Sequence, residues 1–109
     1  MREYRIVLES QLGPREGTLR LEEEKEGTMA GSIYLLGFEN VAIGRWTSKN
    51  SFQLSHHLRT QVSDLECVSI FNLDGGKIVG TLQNEKNAML WHGEEITVQE
   101  GGNGQNAGE

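Results

Sequence analysis

Hydrophobic and polar residues alternate along this chain, and the hydrophobic ones lack the three- and four-residue spacing of an amphipathic helix. Within residues 3–12, Tyr4, Ile6 and Leu8 share one side of a period-two ribbon, and charged residues occupy the other side. The same alternation runs through residues 51–59. The pattern therefore predicts an almost entirely β protein.

Turn-forming residues interrupt this alternation about every 8–12 residues, which is the spacing of a meander, sandwich or barrel. The first predicted turn is Gly13–Gly17, where Pro14 presets φ. The segments between the turns predict eight strands: 3–12, 17–24, 28–36, 41–47, 51–59, 64–73, 77–83 and 87–98. Short connections make consecutive strands neighbours, so we predict a single antiparallel up-and-down meander that closes into a barrel of about eight strands.

A faint internal repeat supports closure. Residues 26–33 align with residues 75–82, and each copy places a glycine, Gly31 or Gly80, between inward hydrophobic residues. A glycine inside a strand marks a bulge or tight bend, so the two copies indicate two corners of a small barrel. Coincidence in a glycine-rich chain is the alternative explanation.

The alternation also assigns side chains to the two faces of the sheet. The predicted inward residues are Tyr4, Ile6, Leu8, Leu12, Leu19, Leu21, Met29, Ile33, Leu35, Val41, Ile43, Phe52, Leu54, Leu58, Leu65, Phe71, Ile78, Leu82, Leu90 and Ile96. So many large side chains would largely fill an eight-stranded barrel. The hydrophobic residues predicted to face outward are Tyr34, Leu36, Ala42, Trp46, Val68, Ile70 and Val79.

An exposed hydrophobic patch usually marks an association surface. We therefore predict a homodimer, or an interface with another protein, on the outside of strands three, four, six and seven. The predicted interface residues are Tyr34, Leu36, Trp46, Val68, Ile70 and Val79. A one-residue slip at a β-bulge would exchange the two faces of a strand, which is the alternative for any of these assignments.

The strand count, the hairpin connections and the glycine rhythm of residues 3–98 resemble the calycin-like barrels, which include avidin-type and lipocalin-type proteins. The stretches 12–19 and 35–40 also resemble a group of short, uncharacterised bacterial β-proteins. The first resemblance implies a small barrel in which aromatic residues line a ligand cup. The second resemblance implies a bacterial protein of similar fold. It implies no particular activity. The early Gly-x-Trp of lipocalins is absent, so no ligand site transfers residue by residue.

Composition narrows the range of functions. The chain has 109 residues and a net charge of −6, so we predict one barrel domain over residues 1–99 and no binding to nucleic acid. Residues 100–109 contain no large hydrophobic residue and are predicted to be a flexible tail. We expect no membrane association, because no hydrophobic run approaches the length of a span. The single cysteine and the short apolar run near the N-terminus favour a cytoplasmic location.

Candidate chemistry centres on His56, Cys67, Trp46 and Trp91. His56 shares the inward face of its strand, whereas His57 points the opposite way, so the two cannot bind one metal ion. His56 could meet Cys67 if strands five and six form a hairpin, but a nucleophilic cysteine also needs a lowered pKa. A buried cysteine is ordinarily an inert small hydrophobe, and a core histidine satisfied by one partner is the simpler interpretation.

We therefore predict that the protein is not an enzyme and uses no cofactor or metal. The preferred function is a small-molecule-binding or accessory barrel, in which an apolar or aromatic ligand contacts His56, Trp46, Trp91 and Cys67. The alternative is a homo-oligomeric interaction domain with a filled barrel.

Overall fold

Eight antiparallel strands build the protein, and the computed structural model describes residues 1–96. The strands are β1 (Arg2–Ser10), β2 (Gly13–Glu23), β3 (Thr28–Leu35), β4 (Phe38–Ser48), β5 (Ser51–Arg59), β6 (Asp64–Asp74), β7 (Lys77–Gln83) and β8 (Ala88–Glu95). A single 3₁₀ turn, Lys25–Gly27, connects β2 to β3. The predicted flexible tail, residues 100–109, lies outside the described residues.

Every strand pairs with the next one along the chain, and β8 returns to β1. In this last pairing Tyr4 lies opposite Glu95, and the Ile96 N–H donates to the Glu3 carbonyl over 2.8 Å. The predicted all-β meander and its closure into an eight-stranded barrel are therefore confirmed. At this coarse level the architecture is consistent with a calycin-like fold. Within residues 1–96 no helix is long and apolar enough to cross a membrane.

The barrel has two open ends, which we call the first and second mouths. The first mouth holds the connection 24–27 and the hairpin turns 49–50 and 75–76. The second mouth holds the turns 11–12 and 36–37 and the loops 60–63 and 84–87.

The first hairpin differs from its prediction. The predicted turn Gly13–Gly17 lies inside β2, and the chain reverses at residues 11–12, where Leu12 is 84% exposed instead of inward. The Ser10 hydroxyl holds this turn, since it donates to the Gly13 carbonyl over 2.6 Å and accepts the Leu12 N–H over 3.3 Å. Pro14 is tolerated because β3 pairs with β2 only from Gly17 onward, so its missing N–H removes no bond to β3.

The interior of the barrel is filled by hydrophobic side chains, each at most 5% exposed. They are Tyr4, Ile6, Leu8, Leu19, Leu21, Met29, Ile33, Leu35, Ala42, Phe52, Leu54, Leu58, Cys67, Phe71, Ile78, Leu82 and Trp91. Most of these were predicted to face inward from the period-two pattern. Burial of this apolar area is the main term that stabilises the fold.

The two faces of β4 are exchanged relative to the prediction. Val41 and Ile43 point outward, at 73% and 60% exposed, while Ala42 is buried and Trp46 is partly buried against the core. Asn40 takes the inward position because its Nδ2 group donates to the Ile33 carbonyl over 3.1 Å. A buried polar group is tolerated when it is hydrogen-bonded, so Asn40 can take an inward position while Val41 and Ile43 face outward.

The last strand shows the same kind of exchange. Leu90 was predicted to face inward, yet it is 60% exposed, and its neighbour Trp91 fills the interior. An indole buries more surface than a leucine side chain, so the strand orients to bury Trp91.

Inward glycines allow neighbouring strands to approach closely. A Cβ atom on Gly31 would lie 1.8 Å from the Arg20 carbonyl oxygen, and one on Gly80 would lie 2.1 Å from that of Ile70. Gly31 and Gly80 are the two glycines of the internal repeat. Gly17, Gly44 and Gly93 make the same close approach to a neighbouring backbone.

The β3–β4 turn stores strain that one substitution should remove. Leu36 and Gly37 both have positive φ, at 57° and 86°, as in a type I′ turn, and leucine adopts this conformation rarely. Leu36→Asn is therefore expected to raise the free energy of unfolding by about 1 kcal/mol in urea titrations. Leu12→Asn is the matched control, because Leu12 also lies exposed in a turn but has ordinary φ. An equal gain from both variants would contradict the prediction.

Candidate functional site

A ribbon of aromatic side chains runs through the interior. Trp46 meets Phe52 edge to face with ring centroids 5.4 Å apart, and Phe52 stacks on Phe71 at 5.3 Å. Phe71 in turn contacts Trp91 at 5.7 Å with tilted rings. The rings come from β4, β5, β6 and β8, so these contacts join distant parts of the chain.

A buried chain of hydrogen bonds continues from the aromatic ribbon. The Trp91 indole N–H donates to Ser69 Oγ over 2.9 Å, and Ser69 Oγ lies 2.7 Å from His56 Nε2. His56 Nδ1 lies 2.9 Å from the His57 carbonyl oxygen. Three residues predicted to bind a ligand, Trp46, Trp91 and His56, are therefore joined by the aromatic ribbon and the hydrogen bonds that continue from it. We call the two together the connected ribbon. Ser69 was missed, although its inward position between Cys67 and Phe71 was a usable signal.

The partners of His56 define its protonation state. The His57 carbonyl can only accept, so Nδ1 carries the proton and Nε2 of the neutral ring accepts from the Ser69 hydroxyl. Burial lowers the pKa of His56, the hydrogen bond to the His57 carbonyl opposes this lowering, and a charge on His57 adds to it. The neutral ring is thus the form that the folded core accommodates.

Cys67 lies directly opposite His56 in the β5–β6 pairing and is buried. Its Sγ contacts the Leu65 carbonyl oxygen at 3.6 Å, while both ring nitrogens of His56 bond elsewhere. Burial raises the pKa of the Cys67 thiol, the nearby Asn84 side chain opposes this, and the charge of Asp64 adds to it. The thiol is therefore held in its protonated, weakly nucleophilic form.

At each mouth of the barrel an arginine side chain lies over an aromatic ring, and we call each arrangement a cap. At the first mouth the Arg2 guanidinium lies over the Trp46 ring, 5.3 Å from its centroid. Glu23 accepts from Arg2 Nε over 3.2 Å and from the Trp46 indole N–H over 3.3 Å. The buried Tyr4 hydroxyl lies beneath, 3.5 Å from Arg2 Nη1. This cap covers the Trp46 end of the aromatic ribbon.

The second mouth has a cap of the same kind. Arg59 lies over the Phe38 ring at 5.5 Å from its centroid, and its backbone N–H donates to Asn40 Oδ1 over 3.3 Å. Arg59 also donates from its guanidinium to the Glu39 carbonyl. Neither cap was anticipated from the sequence. Trp91 lies in the filled interior and Trp46 lies beneath the first cap, so neither of these predicted ligand-binding residues lines an open cup.

Two sides of the barrel's outer surface differ in charge midway between the mouths, and we call them the charged half and the uncharged half. The charged half, on β8, β1 and β2, carries the cross-strand ion pairs Arg20–Glu3 at 3.0 Å, Arg2–Glu23 at 3.2 Å and Arg5–Glu94 at 3.8 Å, and His92 contacts Glu9 at 2.6 Å. Ion pairs of this exposure add little stability, but they keep that half well hydrated.

The uncharged half centres on β5, β6 and β7. Its outward side chains, which we call the uncharged face, are Ile43, Gln53, Ser55, Val68, Ile70, Asn72, Val79, Thr81, Gln83 and Leu90. The five hydrophobic members are 38–60% exposed. Beside Ser55, whose side chain is small, a groove of about 640 Å³ opens between Ile43 and Val68. Glu66 and Glu85 also line this groove, as do His56 and Cys67, two of the residues predicted to bind a ligand.

The predicted interface residues fall in three places. Val68, Ile70 and Val79 lie on the uncharged face. Tyr34 and Leu36 are also exposed, but they lie on β3 and in the β3–β4 turn. Trp46 faces the interior instead of the surface.

The histidines lie on different sides of the barrel wall. His56 is buried, whereas His57 points outward and its Nδ1 lies 2.7 Å from Asp64 Oδ1, which agrees with the predicted opposite orientations. Among residues 1–96 no group of three His, Cys, Asp or Glu side chains is placed to hold a metal ion.

Comparison with known proteins found no family model, no curated protein and no solved structure that matches this chain. The filled interior, the two arginine caps and the uncharged face are therefore the features from which a function can be inferred.

The buried histidine should make the fold sensitive to acid. Because the folded-state pKa of His56 is lowered, the unfolded chain binds the proton more readily, and stability falls as the pH drops below about 6.5, the pKa of an unfolded-chain histidine. We expect the free energy of unfolding to decrease from about pH 7.5 to about pH 5, by about 1.4 kcal/mol for each unit that separates the two pKa values.

Urea titrations across this pH range measure the effect. His56→Gln should reduce the pH dependence, whereas His57→Gln, which changes the exposed neighbour, should retain it. Equal pH dependence in the wild type and in His56→Gln would show that other groups cause it.

Proposed function

We propose that this protein is a non-catalytic interaction domain that self-associates through its uncharged face. The observation that carries the proposal is the division of the barrel surface. Charged residues form ion pairs over β8, β1 and β2, while ten neighbouring outward positions from β4 to β8 contain no charge. Depletion of charge around exposed hydrophobic side chains is the compositional signature of an interface core.

The filled interior favours a role for the outside of the barrel. A ligand inside would need space that Phe52, Phe71 and Trp91 already occupy, and each of these is at most 2% exposed. Hydrophobic residues at Val68, Ile70 and Val79 would gain free energy from burial against a partner, at about 25 cal/mol for each Å² removed from water.

Barrel closure also determines how a partner can bind. Each of the eight strands already pairs with two neighbours, so a partner strand cannot extend the sheet across β5, β6 and β7. Association there must occur through side chains packed face to face, as between the sheets of a sandwich.

Sedimentation equilibrium of the purified protein tests the proposal. The wild type should show a monomer–dimer equilibrium, and Ile70→Lys should raise its dissociation constant about 30-fold or more, because it places an unpaired charge in the centre of the contact. Val62→Lys is the matched control, since Val62 is 94% exposed in the β5–β6 loop, away from the face.

Both variants should keep the far-UV circular dichroism and thermal midpoint of the wild type, because both positions are exposed. A wild type that remains monomeric at millimolar concentration, or an Ile70→Lys variant that associates as the wild type does, would refute the proposal.

Interior ligand binding is the second candidate function, and the connected ribbon from Trp46 to His56 favours it. The calycin-like resemblance implies such an interior site. The Arg2 side chain lies on Trp46, at the end of the row of aromatic rings, so a ligand entering there would have to displace it. Native mass spectrometry distinguishes the two functions, because a ligand-binding barrel retains an additional small mass. Arg2→Ala should then release that mass more readily, whereas a filled barrel shows the mass of the polypeptide alone.

A further inference from the structure

The two ends of the uncharged face carry opposite charges. Near the first mouth lie the cations Arg45, Lys49 and Lys77, and near the second mouth lie the carboxylates Glu66 and Glu85. All five side chains are exposed, and within residues 1–96 they take part in no ion pair. On the charged half, by contrast, Arg5 and Arg20 form ion pairs with Glu94 and Glu3 of neighbouring strands.

Countercharges at each end do not cancel this polarity. Two carboxylates lie beside Lys77, Asp74 on β6 and Glu94 on β8, and Glu94 is paired with Arg5 at 3.8 Å, so the three cations still outnumber the carboxylates at the first mouth. At the second mouth Lys86 follows Glu85, Asp64 pairs with His57, and Arg59 is engaged in its cap. The uncharged face therefore runs from a basic end to an acidic end.

We propose that two copies of this chain pack face to face in opposite directions, so that the basic end of each uncharged face covers the acidic end of the other. The two-fold axis of this dimer lies between the faces and crosses the strands. Lys77 of one copy then lies near Glu85 of the partner subunit, and the symmetry forms this contact twice. This inference rests on the proposed self-association through the uncharged face.

Charge complementarity selects this direction over its alternative. A two-fold axis along the strands would place the basic end on the basic end and the acidic end on the acidic end, and like charges across an interface oppose association. Lys77 begins β7 at one mouth and Glu85 follows β7 at the other, so reversal of the strand direction exchanges their positions. The hydrophobic middle of the face is shared by both arrangements and supplies the association itself.

Charge reversal tests the direction of packing. At low ionic strength, Lys77→Glu and Glu85→Lys should each weaken dimerisation about tenfold, because each replaces two attractive contacts with two repulsive ones. The double variant carrying both changes should recover the wild-type dissociation constant to within about twofold, since the contacts re-form with signs exchanged. A mixture of the two single variants should form the heterodimer in preference to either homodimer.

Matched controls separate local pairing from net charge. Lys25→Glu and Glu16→Lys make the same charge changes at exposed positions outside the uncharged face, and they should leave dimerisation near the wild-type value. The inference is overturned if the single variants associate as the wild type does, or if the double variant stays as weak as the single ones. Either result, together with a dissociated Ile70→Lys variant, refutes the direction of packing and leaves the self-association standing. A monomeric wild type refutes both.

Discussion

Gly31→Ala is expected to lower the free energy of unfolding by about 3 kcal/mol, because the added methyl group meets backbone atoms of the neighbouring strand. The added Cβ would lie 1.8 Å from the Arg20 carbonyl oxygen and 2.8 Å from its carbonyl carbon. These atoms belong to the backbone of β2, so no side-chain rotation relieves the contact. The β2–β3 pairing, in which Gly31 lies opposite Leu21, must open instead.

Urea unfolding followed by tryptophan fluorescence measures this loss. Gly76→Ala is the matched control, because a Cβ there meets no atom within 4 Å. It should leave stability unchanged or raise it slightly, since alanine reduces the entropy of the unfolded chain. Equal losses from the two variants would mean that the close approach at Gly31 is not the cause.

Ser69→Ala is expected to lower the free energy of unfolding by about 3 kcal/mol, because it removes the hydroxyl that joins two buried groups. The Trp91 indole N–H loses its acceptor and His56 Nε2 loses its donor. Ser69 itself is fully buried, so solvent does not replace either bond in the native packing. Each unsatisfied buried group costs about 1–3 kcal/mol.

Ser55→Ala provides the comparison for this change. Ser55 lies on the adjacent strand, opposite Val68, and is exposed, so its replacement should alter stability by less than about 0.5 kcal/mol. The fluorescence of Trp91 should also change in Ser69→Ala and not in Ser55→Ala. If Ser69→Ala unfolds as the wild type does, the buried chain of hydrogen bonds contributes nothing to stability.

Strands with strict alternation could be assigned from the sequence alone. In β5 every second residue from Phe52 to Leu58 is buried, and the residues between them are exposed, as the period-two pattern predicted. The inward orientation of His56 follows from the same pattern. Only one assignment of faces to this strand buries its hydrophobic residues.

Strand β4 could not be assigned in the same way, because both of its faces carry hydrophobic residues. Burying Val41 and Ile43, or burying Ala42 and Trp46, appears equally reasonable from the pattern. The structure selects the second arrangement, in which Asn40 bonds to the Ile33 and Phe38 carbonyls and Trp46 packs on Phe52. These partners come from other parts of the barrel. The pattern of residues within one strand contains no information about them.

The candidate site shows the same division. His56, Trp46 and Trp91 were identified because aromatic residues and histidines are recognisable one at a time. Ser69 and the two capping arginines were not, because serine and arginine are common on surfaces. They acquire a role only from the groups that strand pairing places beside them.

The sequence by itself determined the β class, the order of eight strands and the single closed meander, because alternation and short turns are local properties that leave few alternatives. The tertiary structure decided which face of β4 is buried, how the interior polar groups are satisfied and how the outer surface divides into a charged and an uncharged half. Those outcomes depend on contacts between strands that are distant in the chain, since burial is favourable only where the neighbours complete the packing and the hydrogen bonds.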